Sequence, residues 1–336
     1  MSISTNEHDT PDQPEPRLTV CPLTGRVGMW TALRERRPQP RPERLLLDPD
    51  VPTCPFCTFD DPDPRLLPQQ AEVDGVRWAA MRNLYPPLGR DTGTADLAYA
   101  VAHGPTLTHL HDDLVPQWAA MIAVQQQLAA RRADRWSMVS AATGRSAGAS
   151  QFHPHGHVLT PAIVPPETIA QQHRWGNGEV ARQLLDDGVT VAASDGLRLV
   201  AAPVPLGPFD LWLVPGAPTG FQDADPRDVA TLIAAWVTGV HAQLAADNHL
   251  DADADPALAP FDAKVVLHPE LPDGTGRWWG ELTVTDRHAP GVAAVPLVDL
   301  RYPPETQAAR FRGALAGVSA AERAGRGADG STAKRL

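Results

Sequence analysis

Lysine is nearly absent from this 336-residue chain and occurs only as Lys264 and Lys334. Cationic contacts must therefore come mainly from arginine, whose planar guanidinium suits two-point binding of phosphate. The three cysteines are too few, and odd in number, for a disulfide framework. The sequence has no run of about 18 apolar residues, and its acidic N-terminus lacks the basic and apolar regions of a signal peptide. We therefore expect a cytoplasmic protein without a membrane span.

Acidic residues outnumber basic ones, which gives a formal net charge of −11. This charge argues against binding of polymeric nucleic acid, which requires a basic surface. Arginines nevertheless crowd one early segment that includes Arg34 and Arg37. An apolar content of 43% is ample for a buried core, and the length fits one large or two ordinary domains.

The most distinctive stretch runs from Ser150 to His157 and has histidines at alternate positions. If it forms a strand, His153, His155 and His157 share one face. Imidazole is largely neutral near pH 7 and can act as a nucleophile or a metal ligand. The upstream positions 144–149 are mostly glycine, alanine and serine, and the backbone N–H groups of such a turn can bind phosphate. The pattern favours phosphoryl or nucleotidyl chemistry; a polar edge strand or a histidine-rich loop is the alternative.

Apolar periodicity predicts the same order of elements twice. The first copy, residues 15–165, has strands near 18–20, 27–33, 73–80 and 97–102, a helix near 115–132, a strand near 136–141 and the histidine stretch. The second copy, residues 166–322, has strands near 197–203 and 209–215, a helix near 228–246, strands near 263–268 and 277–284, and a last helix near 304–316. We expect a duplicated α+β fold whose second half lacks the histidines, between a disordered N-terminus, 1–14, and a disordered tail, 323–336.

Cys54 and Cys57 form a Cys-Pro-Phe-Cys motif, whereas Cys21 stands alone. In a cytosolic protein this spacing indicates half of a metal site or a redox pair.

Several separated motifs together resemble the galactose-1-phosphate uridylyltransferases of the histidine-triad superfamily. The matched pieces are Pro22-Leu23-Thr24-Gly25, Arg34 to Pro38, Cys54-Pro55-Phe56-Cys57, Asn83 to Leu88, His103-Gly104-Pro105-Thr106-Leu107-Thr108-His109-Leu110, Gly148-Ala149-Ser150 with His153-Pro154-His155-Gly156, and Pro304-Glu305. Their shared order and spacing, over residues 18–315, identify the chain as a divergent member of this family. The resemblance implies two tandem histidine-triad-like halves, with antiparallel sheets flanked by helices, and a homodimer.

The resemblance also implies roles for individual residues. It implies His155 as the nucleophile and Ser150 as a hydroxyl donor to the phosphoryl group. The implied substrate-binding residues are Arg34, Arg37, Asn83, Gly148 and Ala149, and the implied zinc ligands are Cys54, Cys57, His103 and His153. Four protein ligands leave no open coordination position, so such a zinc is structural. A pair of free thiols is the alternative for the two cysteines.

Some positions depart from the family pattern. His157 stands where the transferases have a glutamine that donates hydrogen bonds to the phosphoryl oxygens, and a histidine there is typical of the superfamily's hydrolases and some dinucleotide phosphorylases. Because histidine can also move a proton, His157 is a catalytic candidate.

The family's iron site does not transfer. Its late His-x-His motif reads Arg277-Trp278-Trp279, and its glutamate falls at Gln171, which leaves His268 alone. We therefore expect no iron. A family asparagine aligns with Ala142, and the hexose-binding residues have no clear match in 291–299, so galactose is not supported as the acceptor sugar.

Three functional hypotheses follow. The leading one is transfer of a nucleoside monophosphate from a nucleotide sugar, or a similar nucleotide diphosphate, to a phosphorylated acceptor through a nucleotidyl-His155 intermediate. The second keeps the same covalent step but uses phosphate or water as the acceptor, with dinucleoside polyphosphates or nucleotide sugars as substrates. The third is a non-catalytic nucleotide-binding or zinc-stabilised scaffold protein.

Overall fold

The computed structural model describes residues 17–20, 27–30, 54–57, 63–89, 91–144, 146–176, 185–202, 209–246, 261–285 and 304–329, with the backbone alone at 17–20, 27–30, 304 and 321–329. Arg34, Arg37, Cys21 and the predicted disordered segment 1–14 lie outside these residues, as does the end of the predicted tail, 330–336.

The described residues form twelve strands and four α-helices. The strands are β1 Arg17–Val20, β2 Val27–Trp30, β3 Leu66–Val73, β4 Val76–Arg82, β5 Gly93–Ala100, β6 Met138–Thr143, β7 His155–Pro161, β8 Thr190–Ser194, β9 Leu197–Ala201, β10 Leu211–Pro215, β11 Ala263–His268 and β12 Trp279–Val284. The helices are α1 Leu114–Ala130, α2 Pro166–Gly176, α3 Pro226–Ala246 and α4 Pro304–Asp329.

Strands β3 to β12 form one ten-stranded sheet in the order β3-β4-β5-β7-β6-β11-β12-β10-β9-β8. Every neighbouring pair is antiparallel. Read inward from either edge, the five strands of each set occur in the same spatial order. With the strands of a set numbered along the chain, this order is 1-2-3-5-4. The two sets meet at the centre, where β6 pairs with β11. The predicted α+β class with antiparallel strands and flanking helices is thereby confirmed, and the strands form one large sheet.

Two helices pack on one face of the ten-stranded sheet. Helix α1 packs on β3, β4, β5 and β7, helix α3 packs on β8, β9 and β10, and the two helices contact each other. The main apolar core lies beneath them and includes Trp78, Val158, Leu213 and Trp236. Because side chains alternate along a strand, their neighbours in sequence point to the opposite face, which we call the distal face.

Helix α3 is long and apolar enough to cross a membrane by length and composition alone. Its packing explains this apolarity, because Ile233, Trp236 and Val237 are fully buried in the core beneath it.

Two tight hairpins account for the main errors of the strand predictions. A single strand was predicted at 73–80, whereas β3 and β4 meet at Asp74-Gly75, with φ of 50° and 84°. The unpredicted β8 joins β9 through Asp195-Gly196, with φ of 32° and 82°. Positive φ at both central residues is the requirement of a type I′ turn, for which Asp-Gly is a preferred pair.

Three further differences concern element boundaries. Strand β7 begins at His155, so His153 precedes the strand and the expectation of three histidines along one strand is wrong. Helix α2 was not predicted. Helix α4 begins at Pro304 as predicted but continues to Asp329, past the predicted end at 316 and into the segment assigned to a disordered tail.

Candidate active site and metal centre

Four side chains converge in a cluster that could hold a metal ion: Cys54, Cys57, His103 and His153, whose ligand atoms all lie within 4.8 Å of one another. Sγ of Cys57 lies 3.3 Å from Nδ1 of His103 and 3.5 Å from Nδ1 of His153. Sγ of Cys54 lies 3.6 Å from Nδ1 of His153, and the two Nδ1 atoms are 3.2 Å apart. The sequence therefore predicted the members of this cluster correctly, from three separate parts of the chain.

The four distances just given fit a tetrahedral zinc. Bond lengths of about 2.3 Å to sulfur and about 2.0–2.1 Å to nitrogen require S···N separations of about 3.6 Å and an N···N separation of about 3.3 Å. Cys54 and Cys57 are not joined by a disulfide. The donor set and its geometry thus suit a closed four-ligand metal site.

The local backbone fixes each ligand. Cys54 and Cys57 lie at the ends of one turn, closed by the hydrogen bond from Cys57 N to Cys54 O at 3.0 Å. His103 lies in the loop between β5 and α1, and this loop is fixed by Trp118, whose Nε1 donates to Leu107 O at 3.0 Å.

His153 has one ring nitrogen available for a metal. Its Nε2 lies 2.6 Å from the carbonyl oxygen of Ala100, which can only accept, so Nε2 carries the proton and Nδ1 keeps its lone pair. Burial lowers the pKa of His153 to about 4, which keeps the imidazole uncharged at neutral pH. Desolvation, with a hydrogen bond and charge repulsion from Cys54, raises the pKa of Cys57 to about 11. Metal binding must therefore displace a thiol proton.

His155 has a defined tautomer. Its Nδ1 lies 2.8 Å from the carbonyl oxygen of His153, so Nδ1 donates and the ring's lone pair is on Nε2. The side chain is 5% exposed and lies on the distal face of β7. One residue therefore serves both parts of the site, because His153 contributes its side chain to the metal cluster and its main-chain carbonyl to His155.

The ring of Phe56 contacts both His153 and His155. Its ring centroid lies 5.0 Å from that of His153 and 5.1 Å from that of His155, both in stacked orientation. Phe56 lies between the two cysteines in sequence, and it packs with Met81, Leu97 and Tyr99 in a small core on the distal face. The sequence motif contained this residue, but nothing in the motif indicated contact with His155.

His157 follows on the same face of β7. Its ring centroid is 5.2 Å from that of His155, edge to face, and the residue is half-buried. Leu97 of β5 and Ser140 of β6 are its partners across the sheet. The structure therefore brings together the two histidines that were predicted to act in catalysis.

Close approach of α1 fixes the backbone of β7 between them. A Cβ at Gly156 would lie 2.4 Å from Nε2 of Gln125 and 2.9 Å from Sδ of Met121. The amide of Gln125 donates to Ser140 O at 3.0 Å. Glycine at 156 therefore lets the helix press on one face of the strand while the histidines occupy the distal face.

The glycine-rich turn between β6 and β7 is shaped by Asp262, which no sequence signal marked. Oδ2 of Asp262 accepts a hydrogen bond from Ser146 N at 2.6 Å. Gly144 has φ of 83°, and a Cβ there would lie 1.9 Å from Oδ1 of Asp262. Ala149 N donates to Gly144 O at 3.0 Å. Two N–H groups expected to face phosphate are thus used inside the turn, including that of the predicted binding residue Ala149.

The other predicted site residues are more dispersed. Gly148, with φ of 86°, and the half-buried Ser150 lie in and after the turn. Asn83 lies beyond β4, where its N donates to Ala95 O and its Oδ1 accepts from Tyr85 N at 2.9 Å. Ala95 is level with Leu159 in β7, so Asn83 lies about 13 Å along the strand direction from His155. Only a ligand extended along the distal face could contact both.

Aromatic side chains surround His268 on the distal face, at the position where the family's second metal site was sought. His268 stacks on Trp279, with centroids 4.4 Å apart, and its Nε2 lies 3.6 Å from a carboxylate oxygen of Glu281. Trp175 of α2 and Trp212 of β10 also pack against Trp279. The surroundings of His268 are therefore mainly apolar.

Comparison with solved structures identifies proteins of the same fold. A uridylyltransferase structure aligns with a TM-score of 0.61 at 17% identity, covering 90% of this chain and 99% of that one. A uridylyltransferase mutant gives a TM-score of 0.62 at 18% identity, over 90% and 98%. An ADP-glucose phosphorylase from Arabidopsis thaliana, solved with bound ADP-glucose, gives 0.59 at 19%, over 89% and 98%. No family model and no curated protein matches the sequence.

The chain thus has the fold of the uridylyltransferases and of this phosphorylase. The resemblance inferred from the motifs is confirmed at the level of the fold.

Proposed function

We propose that this protein is a nucleotidyltransferase that moves a nucleoside monophosphate from a nucleotide sugar, or a similar nucleotide diphosphate, to a phosphorylated acceptor through a covalent bond to His155. The observation that carries the proposal is the hydrogen bond from Nδ1 of His155 to the carbonyl oxygen of His153, because it directs the lone pair to Nε2. Two structural neighbours are uridylyltransferases and a third is an ADP-glucose phosphorylase, which supports the same class of reaction.

The reaction has two displacements. Nε2 of His155 forms a bond to the α-phosphorus, and the bond from that phosphorus to the bridging oxygen breaks. The phosphorylated group on the other side of that oxygen then leaves. An oxygen of the acceptor phosphate then attacks the same phosphorus and breaks the N–P bond, which restores the imidazole. Nδ1 keeps its proton throughout, and the carbonyl of His153 stabilises the positive charge that the ring carries in the intermediate.

The glycine-rich turn and arginines would hold the phosphoryl oxygens. Backbone N–H groups of the turn near Gly148, the Ser150 hydroxyl, and Arg34 and Arg37 are the proposed donors. Asn83 would contact the nucleoside part, since it lies farther along the distal face.

A structural zinc at Cys54, Cys57, His103 and His153 completes the proposal. When bound, zinc supplies a cross-link between three parts of the chain rather than an open coordination position. The chain's own residues perform the chemistry: the cluster orients His153, whose carbonyl orients His155.

A covalent-labelling experiment tests the proposal. The protein is incubated with nucleotide sugars labelled at the α-phosphorus, and the label bound to protein is measured after denaturation. We expect an acid-labile label on the wild type and no label on His155→Ala. The exposed His173→Ala on α2 is the matched control and should label normally. Binding of nucleotides without any label on the wild type would instead support the non-catalytic reading.

Phosphorolysis or hydrolysis is the second candidate function, and the position of His157 favours it. The ring of His157 lies 5.2 Å from that of His155, within reach of a water or phosphate that attacks the intermediate. Product formation is compared with a sugar phosphate, with inorganic phosphate, and with neither. Turnover that needs neither acceptor indicates hydrolysis. In that case His157→Gln should strongly reduce the rate of hydrolysis but have a smaller effect on the labelling of His155.

We also propose that the two sets of five strands are duplicated histidine-triad-like units. Their identical strand order supports a duplication. In such an alignment Trp279 and Glu281 stand at the start of β12 where His155 and His157 stand at the start of β7. The second unit would then support the first rather than react.

A further inference from the structure

Lys264 is one of two lysines in the chain, and it lies on the sheet face that carries His155. In β11, Ala263, Val265 and Leu267 are buried in the core beneath the helices, so Lys264 points to the distal face. In β7, Val158 is in that core and Gly156 contacts α1, so His155 points to the distal face as well. The two side chains therefore share one side of the sheet.

Strand register also sets them at the same level. Lys264 pairs with Ala142 of the central strand β6, and Ala141 pairs with Gly156 of β7. The next position along this register sets Ala142 beside His155. Adjacent strands are about 4.8 Å apart, so the backbones of Lys264 and His155 are separated by roughly 10 Å. Ala142, which lies between them, carries only a methyl group, so the four-carbon side chain of Lys264 can extend over it toward His155.

The glycine-rich turn closes the same end of the sheet. Asp262, two residues before Lys264, accepts a hydrogen bond from Ser146 N in that turn. Ala263 pairs with Thr143, the last residue of β6 before the turn begins. His155, the turn and Lys264 thus surround one position at this end of the distal face.

The charge of Lys264 is not used by the surrounding structure. Its side chain is exposed, and it has no ion pair or hydrogen bond with another described residue. The closest acid is Asp262, two residues before Lys264, and its carboxylate is engaged in the turn, where it accepts from Ser146 N at 2.6 Å. The next is Glu281, which pairs across the sheet with Val266 and lies 3.6 Å from His268.

Resting on the proposed function, we infer that Lys264 binds the phosphate next to the one that His155 attacks. That phosphate belongs to the leaving group in the first displacement and to the acceptor in the second. Lys264 would therefore select ligands with two linked phosphates over nucleoside monophosphates. An ammonium suits this role because it can follow a phosphate that changes position between the two steps.

The experiment compares affinities for nucleoside diphosphates and monophosphates. Dissociation constants are measured by calorimetry for the mono- and diphosphates of adenosine, guanosine, cytidine and uridine. We expect the wild type to bind a diphosphate more tightly than the matching monophosphate. Lys264→Met should weaken diphosphate binding by about 10- to 100-fold, as expected for loss of a charge-assisted contact, and leave monophosphate binding within about twofold.

Two controls separate this contact from other effects. Lys264→Arg keeps the charge and should retain most of the diphosphate preference. Arg174→Met removes an exposed cation on α2 and should change neither affinity. If Lys264→Met leaves the diphosphate preference intact, or weakens both ligands equally, the role of Lys264 is wrong while the proposed function stands. If the wild type binds none of these nucleotides, the proposed function fails, and the role of Lys264 fails with it.

Discussion

At the scale of single residues, His153 links the metal cluster and the proposed nucleophile. Its side chain offers Nδ1 to the cluster, and its carbonyl oxygen accepts from Nδ1 of His155 at 2.8 Å. Phe56 adds a second link, since it stacks on both rings. A disturbance at the cluster should therefore reach His155 without any direct contact between His155 and a metal.

The glycine-rich turn gives a residue-scale prediction with a matched pair of variants. Gly144→Ala and Gly148→Ala both place alanine at a positive φ, which costs about 1–2 kcal/mol. Only at Gly144 does the new Cβ meet the Asp262 carboxylate, whereas no atom lies within 4 Å at Gly148. Overpacking should make Gly144→Ala less stable than Gly148→Ala by about 1–3 kcal/mol in urea unfolding. Equal losses would mean that Asp262 does not hold the turn.

At the scale of elements, packing of α1 on one face of β7 keeps His155 and His157 on the distal face. Helix α1 approaches so closely that only glycine fits at 156, and Gln125 ties the helix to β6. Because side chains alternate, the residues on either side of that glycine are held away from the helix. The His-Gly-His order thus reflects a strand with one tightly covered face.

Removal of the metal gives an element-scale prediction. Chelation should lower the free energy of unfolding by about 4 kcal/mol if the free metal was about 1,000-fold above its dissociation constant. It should also lower the nucleotide labelling of His155, because His153 and Phe56 lose their fixed positions. Thermal unfolding and labelling are measured before chelation, after chelation and after zinc is restored.

The variant Cys57→Ser removes one ligand and should behave like the chelated protein even when zinc is added. If stability and labelling are unchanged by chelation, with metal loss verified by mass spectrometry, the cluster has no structural role.

At the scale of the whole molecule, a group of histidines joins the loop before α1 to helix α3. His241 of α3 donates from Nε2 to Thr108 O at 2.8 Å, and its ring packs edge to face on Phe261. His109 and His111 stack on each other in the loop. These histidines therefore connect the loop of the first set of strands to the helix that packs on the second set.

The pH dependence of stability tests this connection. Burial, with repulsion from His109, lowers the pKa of His111 and of His241. Asp112 and Asp113 partly oppose the shift at His111, and the hydrogen bond to Thr108 O partly opposes it at His241. A lowered pKa means that the unfolded chain binds more protons, so the stabilisation is complete above an unfolded pKa of about 6.5 and is lost as the pH falls below it.

Denaturant unfolding from pH 7.5 to pH 5.5 should therefore show decreasing stability, and His241→Gln should have a shallower slope because glutamine donates a hydrogen bond without titrating. Titration of the Cys/His cluster contributes equally to the slopes of both proteins, so the difference between the two slopes is the quantity to measure. Parallel slopes would contradict a role for His241.

The sequence predicted the parts of this molecule that depend on local order. The strand at 263–268 and the helices near 115–132 and 228–246 follow from apolar periodicity. The four members of the metal cluster follow instead from the resemblance of separated motifs to the transferase family. The Asp-Gly hairpins were also readable, since their turn type depends on the two residues themselves, but they were missed.

Other features have no local signal. Asp262 reaches the turn only because β11 pairs with β6, and Lys264 faces His155 only through the same pairing across the sheet. The acidic residue and the lysine resemble many others in the sequence until that register is known.

By itself, the sequence determined which chemical groups are present and which short segments carry them, because residue type and periodicity act over a few positions. The tertiary structure decided which of the groups without a recognisable motif meet. Pairing of β6 with β11 brings Asp262 to the glycine-rich turn and places Lys264 on the same face and at the same level as His155. Such contacts arise from strand register and helix packing between residues distant in sequence, and no short stretch encodes them.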